Sequence, residues 1–317
     1  MAVNKKANEY QPGKDDLGKI IAEIRSDIET TGKKPLLYDE KNFNDRANAI
    51  DFLEFHVIDR IEGILSDSNP PGELFPLKQE AEGLKCKLEA INERVFQRLR
   101  ADIRLGDCKG KAFRGALREY FGDDFNDRRG EGKPGYDNLD IFVNGLLLIE
   151  PVPDETLTRS PEMVFYQQTP VRVILELIEK ASFKTGDAFY DLGSGLGHVP
   201  VLVNLLSGIR AKGVEFEPAY CNYATACAAE LNLPGVQFIN ADAREANYSD
   251  GTAFFMYTPF EGQMLDEVLE KLWLESQNRP IRLFTYGPCT LQVAGQTWLN
   301  REDQEENNMF KLGVFRS

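Results

Sequence analysis

Ala188-Phe189-Tyr190-Asp191-Leu192-Gly193-Ser194-Gly195-Leu196-Gly197 is the stretch on which the fold turns. A short apolar run closes on an acid, three glycines follow in alternation, and an apolar segment opens at His198. Residues 188–192 have the length and composition of a buried strand, and residues 198–207 those of a helix. The glycines therefore sit at a strand-to-helix turn. In an open parallel sheet, ligands bind at such turns, outside the carboxyl ends of the strands. Glycine lets the backbone approach the ligand with no Cβ in between.

Working outward, short apolar runs alternate with helical segments from about residue 166 to residue 317. Helices are expected at 170–181, 198–207, 218–231 and 262–276, and strands at 188–192, 211–216, 236–240, 253–257 and 281–286. Residues 298–301 and 310–315 read as a closing antiparallel pair. Pro170 and Pro218 each fall where a first helical turn tolerates proline. The pattern predicts an α/β domain with a Rossmann-like, seven-stranded, mostly parallel sheet.

Charge decides what that turn holds. A dinucleotide would bring an anionic pyrophosphate to the helix N-terminus, and Asp191 would set a carboxylate beside it. The spacing Gly193, Gly195, His198 is G-x-G-x-x-H rather than G-x-G-x-x-G, and the chain has no G-x-x-x-x-G-K-[ST] loop. S-adenosylmethionine carries an ammonium and a sulfonium, which favour the carboxylate. Two further acids come at the ends of the next strands. Glu215 is placed to accept both ribose hydroxyls, with Phe216 against the adenine face. Asp242, in Asn240-Ala241-Asp242-Ala243, is placed to take the adenine amino group. The cofactor-binding set expected from this turn is Asp191, Gly193, Ser194, Gly195, Gly197, Glu215, Phe216, Asp242 and Ala243. His198 reads as the start of a helix and Glu217 as a helix N-terminal charge.

The segments 191–197, 214–217 and 240–243 resemble motifs I, post-I and II of the class I (seven-β-strand) S-adenosylmethionine-dependent methyltransferases. A narrower similarity lies in Tyr166-Gln167-Gln168-Thr169. It resembles the loop before motif I in the non-SET histone-lysine methyltransferases, the disruptor-of-telomeric-silencing family. The lysine methyltransferases of ATP synthase c subunits have a similar loop. The resemblance implies that Gln168 and Thr169 contact the amino-acid end of the cofactor and that Tyr166 walls the methyl-transfer channel. A plain helix cap at Thr169 is the other reading. After strand four, Met256-Tyr257-Thr258-Pro259-Phe260 departs from both relevant patterns. It lacks the asparagine of the histone-modifying family and is not the Asn/Asp-Pro-Pro-aromatic motif of adenine or glutamine amino-methyltransferases. Tyr257, Thr258 and Tyr166 are the expected catalytic residues, with Phe260 and Tyr286 completing an acceptor pocket.

The first part of the chain reads as an α-helical N-terminal domain, residues 1–150, joined by a connector, 151–165, to the methyltransferase domain, 166–317. Leu17, Ile20, Ile21, Ile24 and Ile28 share one helical face. Further helices are expected at 45–66, 77–105 and 111–121, with turn chemistry at 68–72 and 122–135. Lys+Arg 37 against Asp+Glu 51 gives a net charge of −14, which argues against a nucleic-acid partner. The 5 cysteines are scattered without a C-x-x-C, so neither a disulfide framework nor a metal site is expected, and a reducing cytoplasm is. No signal peptide or membrane span is legible. The expected activity is methyl transfer from S-adenosyl-L-methionine, with a protein lysine amine as acceptor. A small-molecule acceptor under a helical cap and a non-catalytic cofactor-binding scaffold are the alternatives. The oligomeric state is not legible in the sequence.

Overall fold

The computed structural model describes residues 14–66, 70–122, 135–147, 151–302 and 308–317. The break expected at 122–135 lies largely outside them, and the turn expected at 68–72 lies outside them at residues 68 and 69. The chain divides into two compact units, Met1–Arg94 and Val95–Ser317.

In the first unit, α1 (Lys14–Gly32) is followed by a 3-10 turn, Pro35–Tyr38. α2 (Phe43–Asp51) then runs through a π-helical stretch, Phe52–Ile58, into α3 (Asp59–Leu65). The first part of α4 (Leu74–Leu105) completes the unit. Ile24 and Ile28 are buried with Leu53, Val57, Ile61, Leu77, Ala81 and Leu88, as the helical spacing requires. Ile20 and Ile21 pack at the margin of the same cluster.

In the second unit, α5 (Lys111–Phe121) and α6 (Asn138–Leu147) precede the sheet. They belong to the same compact unit as the sheet, so the units part earlier in the chain than the change of texture near residue 150. The sheet elements follow in order: α7 (Val171–Ala181), β1 (Ala188–Leu192), α8 (His198–Ser207), β2 (Arg210–Glu215), α9 (Pro218–Glu230), β3 (Val236–Asn240) and β4 (Ala253–Met256). Then come α10 (Gly262–Ser276), β5 (Arg282–Thr285), α11 (Cys289–Ala294), β6 (Asn300–Arg301) and β7 (Gly313–Arg316). The 3-10 turn and the short α11 are elements that periodicity does not reveal, since neither is long enough to repeat.

The seven strands order as β3-β2-β1-β4-β5-β7-β6. β1 to β5 are parallel, and β7 pairs antiparallel with β5 and β6. All five residues of β1 are buried, as a central parallel strand covered on both faces demands. Alternation sends Tyr190, Phe254, Leu283 and Phe315 to one face, against Leu265, Val268, Leu269 and Leu272 of α10. The Tyr190 hydroxyl leaves this core to donate to Asp250 (2.6 Å), whose carboxylate also accepts from Lys212 (2.9 Å). Asp191 alternates to the other face. The chain reverses its strand order between β1 and β4, so the crevice opens at the ends of these two strands.

Candidate functional site

The turn after β1 is tied to β2. The Gly193 and Ser194 amides both donate to the Val214 carbonyl (2.8 and 3.1 Å). Glu215, ending β2, accepts from the Gly195 amide (2.7 Å) and the Glu217 amide (2.8 Å). Gly193 and Gly195 have φ of +79° and +51°, a region that disfavours side chains. A Cβ on Gly195 would lie 2.2 Å from the Tyr166 ring, and one on Gly193 would lie 2.3 Å from Pro259. The sequence needs glycine here for two reasons: the turn is left-handed, and two other segments press on it.

Those segments wall the cleft. The connector, 151–165, runs into the loop 166–169 and is held at both sides. Glu217 accepts from the Thr156 hydroxyl (2.6 Å) and the Leu157 amide (2.9 Å) while capping α9 through Ala219 (3.0 Å). The Val164 amide donates to the Pro259 carbonyl (3.0 Å), and Met163 bridges Phe260. Glu162 accepts from the amides of Gln263 and Met264 at the start of α10 (3.1 and 2.8 Å). Burial works against the charge of Glu217, but the donors from Thr156, Ala219 and Leu157 outweigh it and hold its carboxyl at about 2.

The cleft is lined by Tyr166, Thr169, Asp191, Gly193, Ser194, His198, Glu215, Phe216, Ala243, Tyr257, Thr258 and Phe260, with the connector on one side. Asp191 is 3% exposed. Among the described residues no hydrogen bond or cation reaches its carboxylate. Burial, and then the charge of Glu215, push it well above the usual carboxylate range. Glu215 is also raised by burial, although the amides of Glu217 and Gly195 oppose the shift. The Tyr166 hydroxyl and the Ser194 hydroxyl are buried and have no partner. Buried polar groups are normally satisfied. Here two hydroxyls and a carboxylate of residues that line one cleft are not, and a cationic ligand there would satisfy the Asp191 carboxylate. The residues present therefore fit the cofactor that the sequence implied.

Other expected site residues sit differently. Asp242 does not line the cleft. It forms a two-pronged pair with Arg244 (3.0 and 2.7 Å), whose hydrogen bonds hold its carboxyl below the usual range. Gly197 packs on Phe238 and Ala224. Gln168 lines a separate open groove with Tyr136, Ile141 and Phe165. Thr169 is not the helix cap. The N-cap of α7 is Pro170, and Asp140 of α6 takes the Val171 amide instead (2.8 Å). Tyr257 follows β4 rather than ending it, with its ring 5.0 Å from that of Tyr286. The Thr258 hydroxyl donates to the Tyr286 carbonyl (3.1 Å) and accepts from the Cys289 amide (3.2 Å). Its backbone is left-handed, with φ of +41°. Both hydroxyl functions of Thr258 hold the loop, which leaves no free base there. His198 is 3% exposed, and burial lowers it to about 3, so the ring is neutral. Two residues that spacing did not single out, Asn144 and Asp140, reach the site from α6. Their signal in the sequence is weak: a polar residue on an apolar helix.

A family model described as histone methylation protein DOT1 matches residues 160–252. No curated protein matches the sequence. Among solved structures, an RNA methyltransferase from Salinibacter ruber in complex with S-adenosyl-L-homocysteine is 23% identical, with 47% of this chain and 92% of that chain covered and a TM-score of 0.37. A SAM-dependent methyltransferase from Aquifex aeolicus is 16% identical (45% and 88% covered, TM-score 0.36). One from Thiobacillus denitrificans in complex with S-adenosyl-L-homocysteine is 20% identical (37% and 48% covered, TM-score 0.31). With the DOT1 match covering the end of the connector, the loop 166–169 and the glycine turn, and the seven-stranded sheet around them, the chain is an S-adenosylmethionine-dependent methyltransferase with DOT1-like similarity. Among the described residues no group of His, Cys, Asp and Glu is placed to hold a metal, and no helix is long and apolar enough to cross a membrane.

Proposed function

We propose that this methyltransferase modifies an amine on a protein, a lysine side chain ahead of other acceptors. The observation that carries the reading is the extent of the DOT1 match, residues 160–252, which takes in both the loop 166–169 and the glycine turn. The family so described methylates histones, and a histone-like basic segment is the partner class it suggests. The carboxylates that line the cleft, Glu155, Asp191, Glu215 and Glu217, outnumber Arg159, which suits a cofactor and an acceptor that both arrive as cations.

When bound, S-adenosylmethionine supplies a methyl group on a sulfonium. In this reading Asp191 receives the cofactor's positive charge. Glu215 has spent one lone pair of each oxygen on amides and keeps capacity for two hydroxyl donors. Phe216 lies against the adenine face. Asp242 shapes the turn through Arg244, which leaves the adenine edge to the backbone at Ala243. Gln168 and Thr169 would belong to a loop that closes the methionine end, and Tyr166 would wall the channel.

The acceptor must shed a proton. A lysine with pKa about 10.4 costs about 4.6 kcal/mol to present as the amine at pH 7. His198 is buried and already paired, and Thr258 has no free function, so neither serves as a base. The rings of Tyr166, Tyr257 and Phe260, which line the cleft, would instead lower the cost by desolvating the ammonium, and the proton leaves to water. Turnover is then expected to rise with pH between about 7 and 9, following the amine. Tyr257→Ala is expected to lower turnover about tenfold with cofactor affinity nearly unchanged. The deciding experiment supplies methyl-labelled cofactor with recombinant histones, other basic proteins and a metabolite extract. Label on lysine supports the reading. Label only in small metabolites, or turnover that peaks below pH 6, removes it in favour of a small-molecule acceptor.

A further inference from the structure

The loop 166–169 is not held by its own helix. α6 and the residue pair before it fix the loop at two points and the start of α7 at a third. The Tyr136 hydroxyl donates to the Gln168 carbonyl (2.6 Å), the Gln168 side-chain amide donates to Asn144 Oδ1 (2.8 Å), and Asp140 takes the Val171 amide. α6 itself is well anchored. At its start the Asp137 carboxylate accepts from the Leu139 amide (2.9 Å), and at its end Arg100 donates Nε–H to the Leu146 carbonyl (3.0 Å). The positive side chain at a helix C-terminus complements both the free carbonyls and the dipole.

Asn144 makes a second contact. His198 Nε2 lies 2.9 Å from the same Oδ1. An oxygen that accepts from Gln168 can only accept from His198 as well, so this arrangement assigns the proton to Nε2. His198 opens α8 directly after Gly197 and lines the cleft. One carbonyl oxygen thus joins the loop on one side of the cleft to the end of the glycine turn on the other.

We propose that Asn144 is a positioning residue of the cofactor site: its side-chain carbonyl holds the loop 166–169 and the start of α8 in one register, so that closure of the loop and the shape of the glycine turn are set together. This deepens the reading of residues 166–169 as a cofactor loop and rests on it. The residue does not touch the reacting atoms. It acts through Gln168 and His198.

The test begins without cofactor. The chain has 2 histidines, and the other, His56, is exposed, so nitrogen-15 spectra of the two rings separate. The His198 ring is expected to stay neutral in the Nε2–H form from pH 5 to 8. A ring that titrates there, or that carries its proton on Nδ1, overturns the proposal whatever the cofactor does. Asn144→Ala is expected to shift that signature toward a tautomer mixture, to speed amide exchange at Gln168, and to weaken S-adenosylhomocysteine about tenfold. Should that variant fold poorly, Gln168→Ala removes the loop contact from a half-buried position. It is expected to weaken S-adenosylhomocysteine by a similar factor while leaving the His198 tautomer intact, and the double variant is expected to lose little more. Unchanged affinity in Gln168→Ala, or full additivity in the double variant, overturns the coupling. Wild-type protein that fails to bind S-adenosylhomocysteine overturns the cofactor reading instead, and the ring spectra still decide the role of Asn144.

Discussion

Arg46 in the first unit and Asp191 in the second are both buried charges, 0% and 3% exposed, and the protein treats them in opposite ways. Arg46 donates to Asn92 (2.6 Å) and to the carbonyls of Leu37, Asp39 and Glu40 (3.3, 2.7 and 3.0 Å), with its guanidinium 6.0 Å from the Phe43 ring centroid. Arginine cannot neutralise itself, so the 3-10 turn and α4 supply acceptors and the charge becomes architecture. Among the described residues Asp191 receives nothing. A carboxyl can protonate, and burial beside Glu215 drives it that way. A buried charge that the fold satisfies holds the fold. One that it leaves unsatisfied, in an open crevice, is kept for a ligand.

The comparison can be broken most forcefully at Arg46. Arg46→Met strands three carbonyls and an asparagine, and is expected to destabilise the first unit by about 3–5 kcal/mol in urea unfolding. A loss below about 1 kcal/mol would mean that the hydrogen bonds are incidental to stability. Asp191→Asn is expected to act in the other direction on stability and strongly on binding. Removing the unpartnered charge raises the urea midpoint of the free protein, while S-adenosylmethionine affinity falls by about tenfold to a hundredfold, or 1.5–3 kcal/mol.

The pH dependence carries the same signature. Asp191 and Glu215 are raised in the folded state, so their contribution to stability is complete below the ordinary carboxylate pKa. It is lost as pH rises through their raised values. A cationic ligand favours the ionised form, so binding is expected to release protons, measured by calorimetry in buffers of different ionisation enthalpy. Proton uptake would sink the assignment of Asp191.

Glu217 sharpens the comparison from within the second unit, because it is buried like Asp191 but satisfied like Arg46. Its folded value, about 2, lies below the ordinary one. Its stabilisation is therefore present above about 4.5 and lost as pH falls toward 2, the opposite sign to Asp191. Glu217→Gln is expected to cost about 1–2 kcal/mol and to speed amide exchange at Leu157. Unchanged exchange there would show that the connector is held by its other contacts alone.

The α/β domain was legible because its signals are local. The strand from Ala188 to Leu192, the glycine turn and the helix at His198 each lie within a few residues, and the periods of 2 and 3.6 are set by backbone geometry. The same holds for Glu215 at the end of its strand, and for the apolar face containing Ile24 and Ile28. Asp242 shows where local reading stops. Its position after β3 is as expected, but whether its carboxylate meets a ligand or Arg244 depends on rotamers and on Glu267 of α10, which also pairs with Arg244 (3.2 Å). Thr169 is similar. A threonine before a helix has the composition of a cap, yet Asp140, distant in the chain, takes the amide.

By itself, then, the sequence determined the alternation of strands and helices in the sheet domain, the parallel sheet with its reversed closing strand, the turn that needs glycine and the acids at the strand ends. Tertiary structure alone decided which buried groups were satisfied. It gave Arg46 its carbonyls, gave Thr258 two structural hydrogen bonds in place of a free hydroxyl, clamped the connector on Glu217 and joined Gln168 to His198 through Asn144. The physical reason is the difference in reach. Periodicity and turn chemistry act over a few residues, whereas the partner of a polar side chain is whichever group the packing brings within about 3 Å, at any separation along the chain.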